Sequence, residues 1–209
     1  TDWQNEVFKT AHSNSVDINF AGGSENATFY VSLGYKHGDE IFIGPKHDDV
    51  TLRLKNNFTI KKWLRFGDNI TVDYDVSKGA GPSQFVSMIN MPPYIPVRDT
   101  SNYWGYGSIN RMQDLGDAIN PVMTSALTHP ESHNMDYQAN IWMELEPLKG
   151  LQYHAQYDVT GSFKLTTLLT DNYDNRAMQT VENTFHANTI HTINPLCTSY
   201  INLTRTMGH

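Results

Sequence analysis

The residues of this sequence that best resemble a catalytic pair are Glu144 and Glu146. Side chains two positions apart share one face of a strand, and two carboxylates flanking a sugar bond carry out glycoside hydrolysis. The sequence places no second strand opposite this pair, so a solvated polar face is the favoured interpretation. No nucleophile elbow, phosphate loop or zinc signature occurs elsewhere. We therefore predict that the chain is not an enzyme and has no catalytic residue and no cofactor.

Metal-binding side chains are numerous, but they are not spaced as a site. The chain has nine histidines; His186 and His191 have neither the i,i+4 spacing of a helical pair nor a place in a Cys/His set. The aspartates at 48–49 and within 171–174 lack the twelve-residue loop and terminal glutamate of a calcium site. We predict no metal site.

Four aromatic residues, Tyr94, Tyr103, Trp104 and Tyr106, lie in a segment that also contains Gly, Ser and Asn. Aromatic side chains in a long loop on a scaffold commonly contact a ligand, because they can stack on sugar rings or pack against a peptide. The alternative is that they fold the loop onto itself. We predict that these four residues bind the ligand.

Composition excludes some partners. The chain has 209 residues, a net charge of −7 and scattered Lys and Arg, whereas a nucleic-acid surface needs a clustered basic stripe. We therefore expect no nucleic-acid partner. No run of about 18 apolar residues is present, so no helix is predicted to span a membrane. The mean hydropathy of −0.49 does not exclude a transmembrane barrel, because barrel strands alternate polar and apolar residues.

The elements that must carry these residues are strands, since apolar and polar residues alternate along most of the chain. Residues 2–8 are the exception, because Trp3, Val7 and Phe8 have helical spacing. From residue 15 onward, the alternating segments run for about 9–11 residues, the length of a tilted bilayer crossing. Alternation stops between about 77 and 134 and again between about 162 and 181.

The connections between these segments differ systematically in length. Short ones at 22–26, 61–63 and 147–150 alternate with long ones at 36–47, 77–134 and from 162. Short turns at one end and long loops at the other is the layout of an outer-membrane β-barrel. In a barrel, one face of the strands borders a water-filled lumen. Trp142 is predicted on this lumen face, and an aromatic girdle at the membrane interface does not explain a tryptophan there. The other face borders lipid, and its predicted members are Phe29, Val31, Leu33, Tyr35, Ile70, Val72, Tyr74, Ile141 and Met143.

Six segments in the first 97 residues carry a family resemblance. In order, they are TDWQNEVFKT (1–10), GGSE (22–25), YVSLGY (30–35), LRLKNN (52–57), KKWL with GDNI (61–70), and MPPYIPV (91–97). Together they resemble SusC/RagA-type TonB-dependent outer-membrane transporters. From residue 108 onward, the rhythm of a barrel continues without a sharp motif.

The resemblance implies an all-β fold, an antiparallel up-and-down transmembrane β-barrel of about 22 strands with a plugged lumen. This chain would supply about six to eight of those strands, with long outer loops. Residues 1–14 would connect the plug to the barrel. Residues 15–209 would form the N-terminal part of the barrel, with a long extracellular loop at about 77–134.

The function implied by the resemblance is active import across the bacterial outer membrane. The cargo would be an oligosaccharide or a peptide, since both use this scaffold. The implied partners are outer-membrane lipid, a SusD-like surface lipoprotein as a lid, and TonB, which would act through a plug outside this chain.

A soluble, secreted β-sandwich that binds glycans is the alternative. A sandwich packs the apolar faces of two sheets against each other in one core, whereas a barrel points its apolar face outward to lipid. The two hypotheses therefore differ in what covers the apolar face.

Overall fold

The computed structural model describes residues 1–79, 83–102, 105–109, 118–171, 173–175, 179–181 and 184–203, with the backbone alone for 83, 173–175, 179–181, 184–186, 202 and 203. It contains three short helices, α1 (Trp3–Val7), α2 (Ser83–Asn90) and α3 (Pro121–Leu127). The first agrees with the short helix or turn that the helical spacing near the amino end indicates. Among the described residues, no helix is long and apolar enough to cross a membrane.

Seven strands form one antiparallel sheet in which each strand pairs with its neighbours in chain order. The strands are β1 (Ser13–Gly23), β2 (Ala27–Asp39), β3 (Lys46–Lys61), β4 (Leu64–Lys78), β5 (Thr128–Leu148), β6 (Leu151–Thr170) and β9 (Thr184–Leu203). Two short strands, β7 (Tyr173–Asn175) and β8 (Gln179–Val181), form a separate hairpin between β6 and β9. In the described part of the chain, β1 and β9 do not pair with each other, so the sheet is open. The predicted all-β, up-and-down antiparallel fold with six to eight strands is confirmed.

The connections fall into two classes, as the sequence predicted. Residues 24–26, 62–63 and 149–150 form tight turns at one end of the sheet, called here the short-turn end. Gly150 adopts a φ of 90° in its turn, a left-handed conformation that glycine reaches without steric cost. The other connections lie at the opposite, long-connection end.

Several strands are longer than predicted, and the connections between them are correspondingly shorter. The loop predicted at 36–47 is confined to residues 40–45, and the long interruption runs from 79 to 127 and contains α2 and α3. β6 continues through Thr170, into the region where alternation was not recognised. Near the end of β6, Thr167 falls in phase with Leu165 while the adjacent Leu168 and Leu169 lie on opposite faces, so the alternation is interrupted there.

The hydrophobic core of the described residues lies outside the sheet. The buried hydrophobic residues are Trp3, Val7, Met88, Met91, Tyr106, Ile109 and Met123. Five of them form one cluster, with Phe42, Ile95, Val97, Ala118 and Val122 packed against it. These residues belong to the three helices and to the connections at the long-connection end, and we call them the loop cluster.

Capping and long-range hydrogen bonds hold the loop cluster together. The Asp2 carboxylate accepts from the backbone N–H groups of Gln4 and Asn5 and so caps α1, and Asn120 caps α3 in the same way. The Trp3 indole N–H donates to the carbonyl of Pro92 at 3.0 Å. The Ile43 N–H donates to the carbonyl of Val7 at 3.0 Å, which ties α1 to the β2–β3 loop. The cluster is therefore anchored beside the sheet at its long-connection end.

Candidate functional site

One face of the sheet, called the apolar face, carries Phe29 and every residue in phase with it. The β1–β2 register places Val16 opposite Tyr35, Ile18 opposite Leu33 and Phe20 opposite Val31. Directly paired residues lie on the same face of a sheet, so these side chains form one surface. Leu33 is 48% exposed and Phe20 63% exposed, so nothing in the described part of the chain covers this surface.

The apolar face continues across the remaining strands. Val50, Leu52 and Leu54 of β3 lie opposite Tyr74, Val72 and Ile70 of β4. Beyond them, β5 contributes Met135, Tyr137, Ala139, Ile141 and Met143 in the same phase. All nine residues predicted to face lipid therefore share the apolar face. Their contact with lipid stays a prediction.

Polar side chains border the apolar face at the long-connection end. The Tyr35 hydroxyl donates to Asp48 Oδ1 at 2.7 Å, and His37 Nδ1 lies 2.8 Å from the same oxygen. On the neighbouring strands, a second group contains Tyr74 paired with His133 at 2.8 Å and Lys78 paired with Glu131 at 2.9 Å. The sequence predicted Tyr35 and Tyr74 for this face but not the ion pairs, because the ion pairs depend on the register between strands.

A second polar pair borders the apolar face towards the short-turn end. The Asn56 amide donates to both carboxylate oxygens of Asp68, at 3.2 and 2.9 Å. Beyond this pair, Phe58 and Phe66 stack with ring centroids 4.8 Å apart. Polar groups therefore flank the middle of the apolar face on both sides, and aromatic rings lie beyond the polar pair at the short-turn end. We call the stretch between the two polar groups the apolar band.

The opposite face, called the polar face, carries the residues predicted to line a lumen. Asp73 lies directly opposite Asp136, and Thr51 donates its hydroxyl to Asp73 at 2.7 Å. A cavity of about 330 Å³ opens here, lined by Thr71, Asp73, Asp136, Tyr137, Gln138, Thr160, Gly161, Ser162 and Asn194. Carboxylate, amide and hydroxyl groups predominate in this lining, which suits contact with water or a hydrophilic ligand.

Trp142 lies on the polar face as part of an aromatic stack. Its ring is 6.2 Å from the His154 ring with an interplanar angle of 13°, and His154 stacks on Tyr200 at 4.8 Å. Gly67 is paired with Trp142 in the ladder, and a Cβ atom at Gly67 would come within 2.7 Å of the indole. The stack explains Trp142 on this face, and sequence patterning missed it because the three rings lie on three strands.

The two glutamates considered for catalysis do not act as a pair. Glu144 Oε2 forms an ion pair with Arg65 at 2.7 Å, whereas Glu146 Oε1 accepts the backbone N–H of Gly150 at 3.1 Å. His154 Nδ1 lies 3.5 Å from Glu144 Oε1, but the geometry does not make a hydrogen bond and the nitrogen is buried without a partner. Glu144 thus takes part in an ion pair between two strands of the sheet, and Glu146 takes part in a hydrogen bond within a turn.

The aspartates and histidines considered for metal binding are dispersed. Asp48 is engaged by Tyr35 and His37, and Asp171 pairs with His129 at 3.2 Å. The side chains of Asp174 and His186 lie outside the described residues. Within the described ranges, no three His, Cys, Asp or Glu side chains converge on a point that could hold a metal ion.

The aromatic residues predicted to bind a ligand have different surroundings. Tyr94 is 60% exposed, whereas Tyr106 is 7% exposed and its ring centroid lies 3.9 Å from the Arg98 guanidinium carbon. Tyr103 and Trp104 lie outside the described residues. The structure thus places Tyr94 in solvent and Tyr106 within its own loop, and ligand contact by the four residues stays a prediction.

Hydrogen bonds shape the loop between Arg98 and Tyr106. The hydroxyl and the backbone N–H of Ser101 donate to Asp99 Oδ1 at 2.6 and 3.0 Å. Because these bonds favour the ionised form, they hold the pKa of Asp99 below its ordinary value, with the hydroxyl as the larger cause. Asn102 donates its amide to the Tyr106 carbonyl at 2.7 Å and closes the loop.

Comparisons with known proteins agree with the resemblance noted in the sequence. The chain is 24% identical over 185 residues to TonB-dependent receptor P3 of Formosa agariphila, which is 81% of this chain and 18% of that protein. It is 30% identical over 78 residues to TonB-dependent receptor P39 of the same organism, which is 37% of this chain and 8% of that protein. No family model matches the chain.

A solved structure shares the fold. The RagAB peptide importer in its closed-closed state matches with a TM-score of 0.73 at 19% identity, over 99% of this chain and 24% of that one. The chain therefore spans less than a quarter of the length of the relatives it matches. The resemblance to a part of a SusC/RagA-type TonB-dependent transporter is confirmed.

Proposed function

We propose that this chain supplies barrel wall and outer loops to a TonB-dependent importer of the bacterial outer membrane. One observation carries the proposal: the sheet is a single layer whose apolar face is uncovered, whereas the described hydrophobic core lies in the loop cluster. Soluble monomers rarely expose apolar patches larger than a few hundred Å². Hydrocarbon is the surrounding that fits such a face, because antiparallel strands satisfy the backbone hydrogen bonds within the sheet.

The height of the apolar band supports the same proposal. Asp68 and Lys78 mark its two borders on β4 and are ten residues apart. Ten residues of antiparallel strand rise about 34 Å, and the usual tilt of about 40° leaves about 26 Å along the membrane normal. Outer-membrane barrels present an apolar band about 25 Å tall. The residues between the borders on this face are Ile70, Val72, Tyr74 and Val76.

The alternative, a soluble β-sandwich, requires a second sheet against the apolar face. In the ranges that the structure describes, the two-stranded β7–β8 hairpin is the only other sheet, and the described hydrophobic core lies in the loop cluster, away from the apolar face. The importer proposal needs no second layer, since lipid takes its place.

The cargo and partners follow from the same proposal. The cargo is an oligosaccharide or a peptide, and the name of the RagAB importer supports the peptide. A SusD-like surface lipoprotein covers the outer loops, and TonB delivers energy through a plug to which residues 1–14 connect. Tyr94, Tyr103, Trp104 and Tyr106 contact the cargo or the lid. The proteins that this chain resembles are named receptors and importers, which agrees with a function other than catalysis.

Fluorescence quenching in membranes tests the orientation of the sheet. In the full-length protein with Cys197 replaced by Ser, cysteines placed at Ile141 and at its sequence neighbour Asn140 are labelled with a fluorophore. A lipid-phase quencher should reach position 141 and a water-soluble quencher position 140. The reverse pattern, or equal quenching by the aqueous reagent at both positions, would contradict the proposal.

Uptake measurements test the cargo. Deletion of the gene should abolish uptake of either labelled oligopeptides or labelled oligosaccharides in the native bacterium, and the intact gene should restore it. Unchanged uptake and growth on both cargo classes would refute an importer of either kind.

A further inference from the structure

Helix α2 has an unusual distribution of polar and apolar side chains. Its buried side carries Gln84 and Met88, which are four residues apart and only 1% and 4% exposed. Its outer side carries Phe85, Val86 and Ile89, which are between 44% and 60% exposed. A helix at the surface of a globular protein normally turns its polar side to water and buries its apolar side. In α2, three apolar side chains lie on the exposed side and an amide lies on the buried side.

The amide of Gln84 does not explain why α2 lies this way round. Neither its nitrogen nor its oxygen has a hydrogen-bond partner in the ranges that the structure describes. A buried polar group without a partner destabilises a fold, because it has lost its hydrogen bonds to water. Apolar side chains on both sides of a helix are typical of a helix that is covered on both sides. We therefore expect a second apolar surface against the outer side of α2.

The amino-terminal residues enter the loop cluster beside the end of α2. The Thr1 hydroxyl donates to the Ile95 carbonyl at 2.6 Å. The Trp3 indole N–H donates to the Pro92 carbonyl at 3.0 Å. Both carbonyls belong to the segment that follows α2 directly in the chain. In the proposed importer, the plug lies before Thr1, so the segment that joins the plug to Thr1 starts next to this helix. We call it the upstream segment.

The upstream segment needs only a few residues to cover the helix. α2 has eight residues and is therefore about 12 Å long, which about four extended residues span. Because the upstream segment is covalently tethered at Thr1, it is present at the surface of α2 at a high effective concentration. A separate protein or a cargo molecule has no such advantage.

We propose that the upstream segment packs apolar side chains against Phe85, Val86 and Ile89 and so covers the outer side of α2. The inference rests on the proposed function, because that function places the plug before Thr1. Two observations identify the occupant. The helix carries no charged side chain, so it fits an apolar partner, and the contacts of Thr1 and Trp3 start the upstream segment beside it. The contact fastens the plug to the connection between β4 and β5.

Photo-cross-linking in the full-length protein tests the contact. The photoreactive amino acid p-benzoylphenylalanine is introduced in place of Ile89, outer-membrane vesicles are irradiated, and the cross-linked peptides are identified by mass spectrometry. Position 89 should cross-link to residues of the upstream segment. Cross-links only to another loop, to a lipoprotein or to added cargo overturn the proposal, and so does the absence of any cross-link.

Thr100 is the matched control position, because it is exposed in the same connection but lies outside α2. The same probe at position 100 should give no cross-link to the upstream segment. Equal cross-linking of that segment from positions 89 and 100 overturns the proposal, because the contact is then not specific to α2.

Cysteine labelling measures the cover without a bulky probe. In the full-length protein with Cys197→Ser, Ile89→Cys should react with a water-soluble maleimide roughly tenfold more slowly than Thr100→Cys, since a cover worth ~1.4 kcal/mol already gives that factor. Equal labelling rates overturn the proposal, because they mean that the outer side of α2 is exposed in the full-length protein as well.

The outcome is distinguishable from failure of the proposed function. If the quenching experiment places Ile141 in lipid and position 89 gives no cross-link to the upstream segment, only the contact with α2 is refuted. If the quenching experiment places Ile141 in water, the importer proposal and the contact with a plug are both refuted.

Discussion

The sheet and the loop cluster differ in where their apolar side chains lie: the loop cluster buries them, whereas the sheet exposes them on one face. In the loop cluster, Val7 is fully buried and Trp3 is 4% exposed, as in the core of a soluble protein. In the sheet, Ile141 is 56% exposed on the apolar face. Burial from water stabilises the loop cluster, whereas under the proposed function the apolar face of the sheet is stabilised by contact with lipid. The burial of apolar side chains therefore differs between a part of the chain that packs against itself and a part whose apolar side chains have no partner within the described residues.

The largest effect is expected where the loop cluster buries its core. Val7→Asp places an unpaired carboxylate at a fully buried position and should cost about 3–5 kcal/mol of the free energy of unfolding. Limited proteolysis of the full-length protein should then cut in residues 79–127. Ser15→Asp is the control, because Ser15 is exposed and lies on the polar face of β1, opposite Lys36. Equal resistance of the Val7→Asp variant and the wild type would show that the cluster does not hold this segment.

Two neighbouring residues of β4, Thr71 and Val72, lie on opposite faces of the sheet and test directly whether the two faces have different surroundings. Val72→Arg introduces a charge in the middle of the apolar band and should cost about 2–4 kcal/mol when the protein is unfolded from lipid bilayers. Thr71→Arg places the same side chain on the polar face and should change stability by less than about 1 kcal/mol. Equal effects of the two substitutions would mean that the faces do not meet different solvents.

The aromatic stack provides a test inside the sheet. Gly67→Ala places a Cβ within 2.8 Å of two Trp142 ring atoms and 2.6 Å of the Asn56 carbonyl oxygen, so the ring or the strand must shift. We expect a loss of about 1–3 kcal/mol by equilibrium unfolding. Combining Gly67→Ala with Trp142→Ala should remove the ring contact. The double variant should therefore lose less stability than the sum of the losses in the two single variants. Strict additivity would show that Gly67 and Trp142 are not coupled.

A smaller effect is expected in the loop between Arg98 and Tyr106. Arg98→Ala removes the guanidinium from the Tyr106 ring and should cost about 0.5–1 kcal/mol, the usual range for an exposed cation–π contact. Arg98→Lys should retain part of it. Amide hydrogen exchange of residues 98–102 and 105–106 measures the loss, and unchanged protection in the Ala variant would contradict it.

The smallest effect is a pH dependence of the same loop. The pKa of Asp99 is lowered by the Ser101 hydroxyl and N–H, so its stabilising contribution is present above the unfolded value near 3.8. It is lost as the pH falls through the lower folded pKa. Amide protection at Ser101 should therefore differ between the wild type and Asp99→Asn at pH 6 and converge under strongly acidic conditions. A difference that persists at the lowest pH would assign the effect to another group.

The sheet was more predictable from the sequence than the surfaces it builds. Alternation at Phe29, Val31, Leu33 and Tyr35 identifies a strand and its apolar face, because period two is a local property. The pairing of Lys46 with Lys78 depends on register, which no single strand reveals. Loop positions were the least predictable, since Tyr94 and Tyr106 were both predicted to bind the ligand but have opposite exposure. The difference in exposure depends on contacts between residues that are distant in sequence, which a local pattern does not reveal.

The hydrogen bonds from the amino end to the long connection have a consequence for the order of folding. The Thr1 hydroxyl donates to the Ile95 carbonyl across a sequence separation of 94, and the Trp3 indole N–H donates to the Pro92 carbonyl across 89. The hairpins β1–β2, β3–β4 and β5–β6 close over turns of two or three residues and can form early. Closing the ninety-residue loop costs more chain entropy, so it should follow strand pairing. We therefore expect the loop cluster to form after the sheet, so its resistance to protease should indicate that the chain has completed folding.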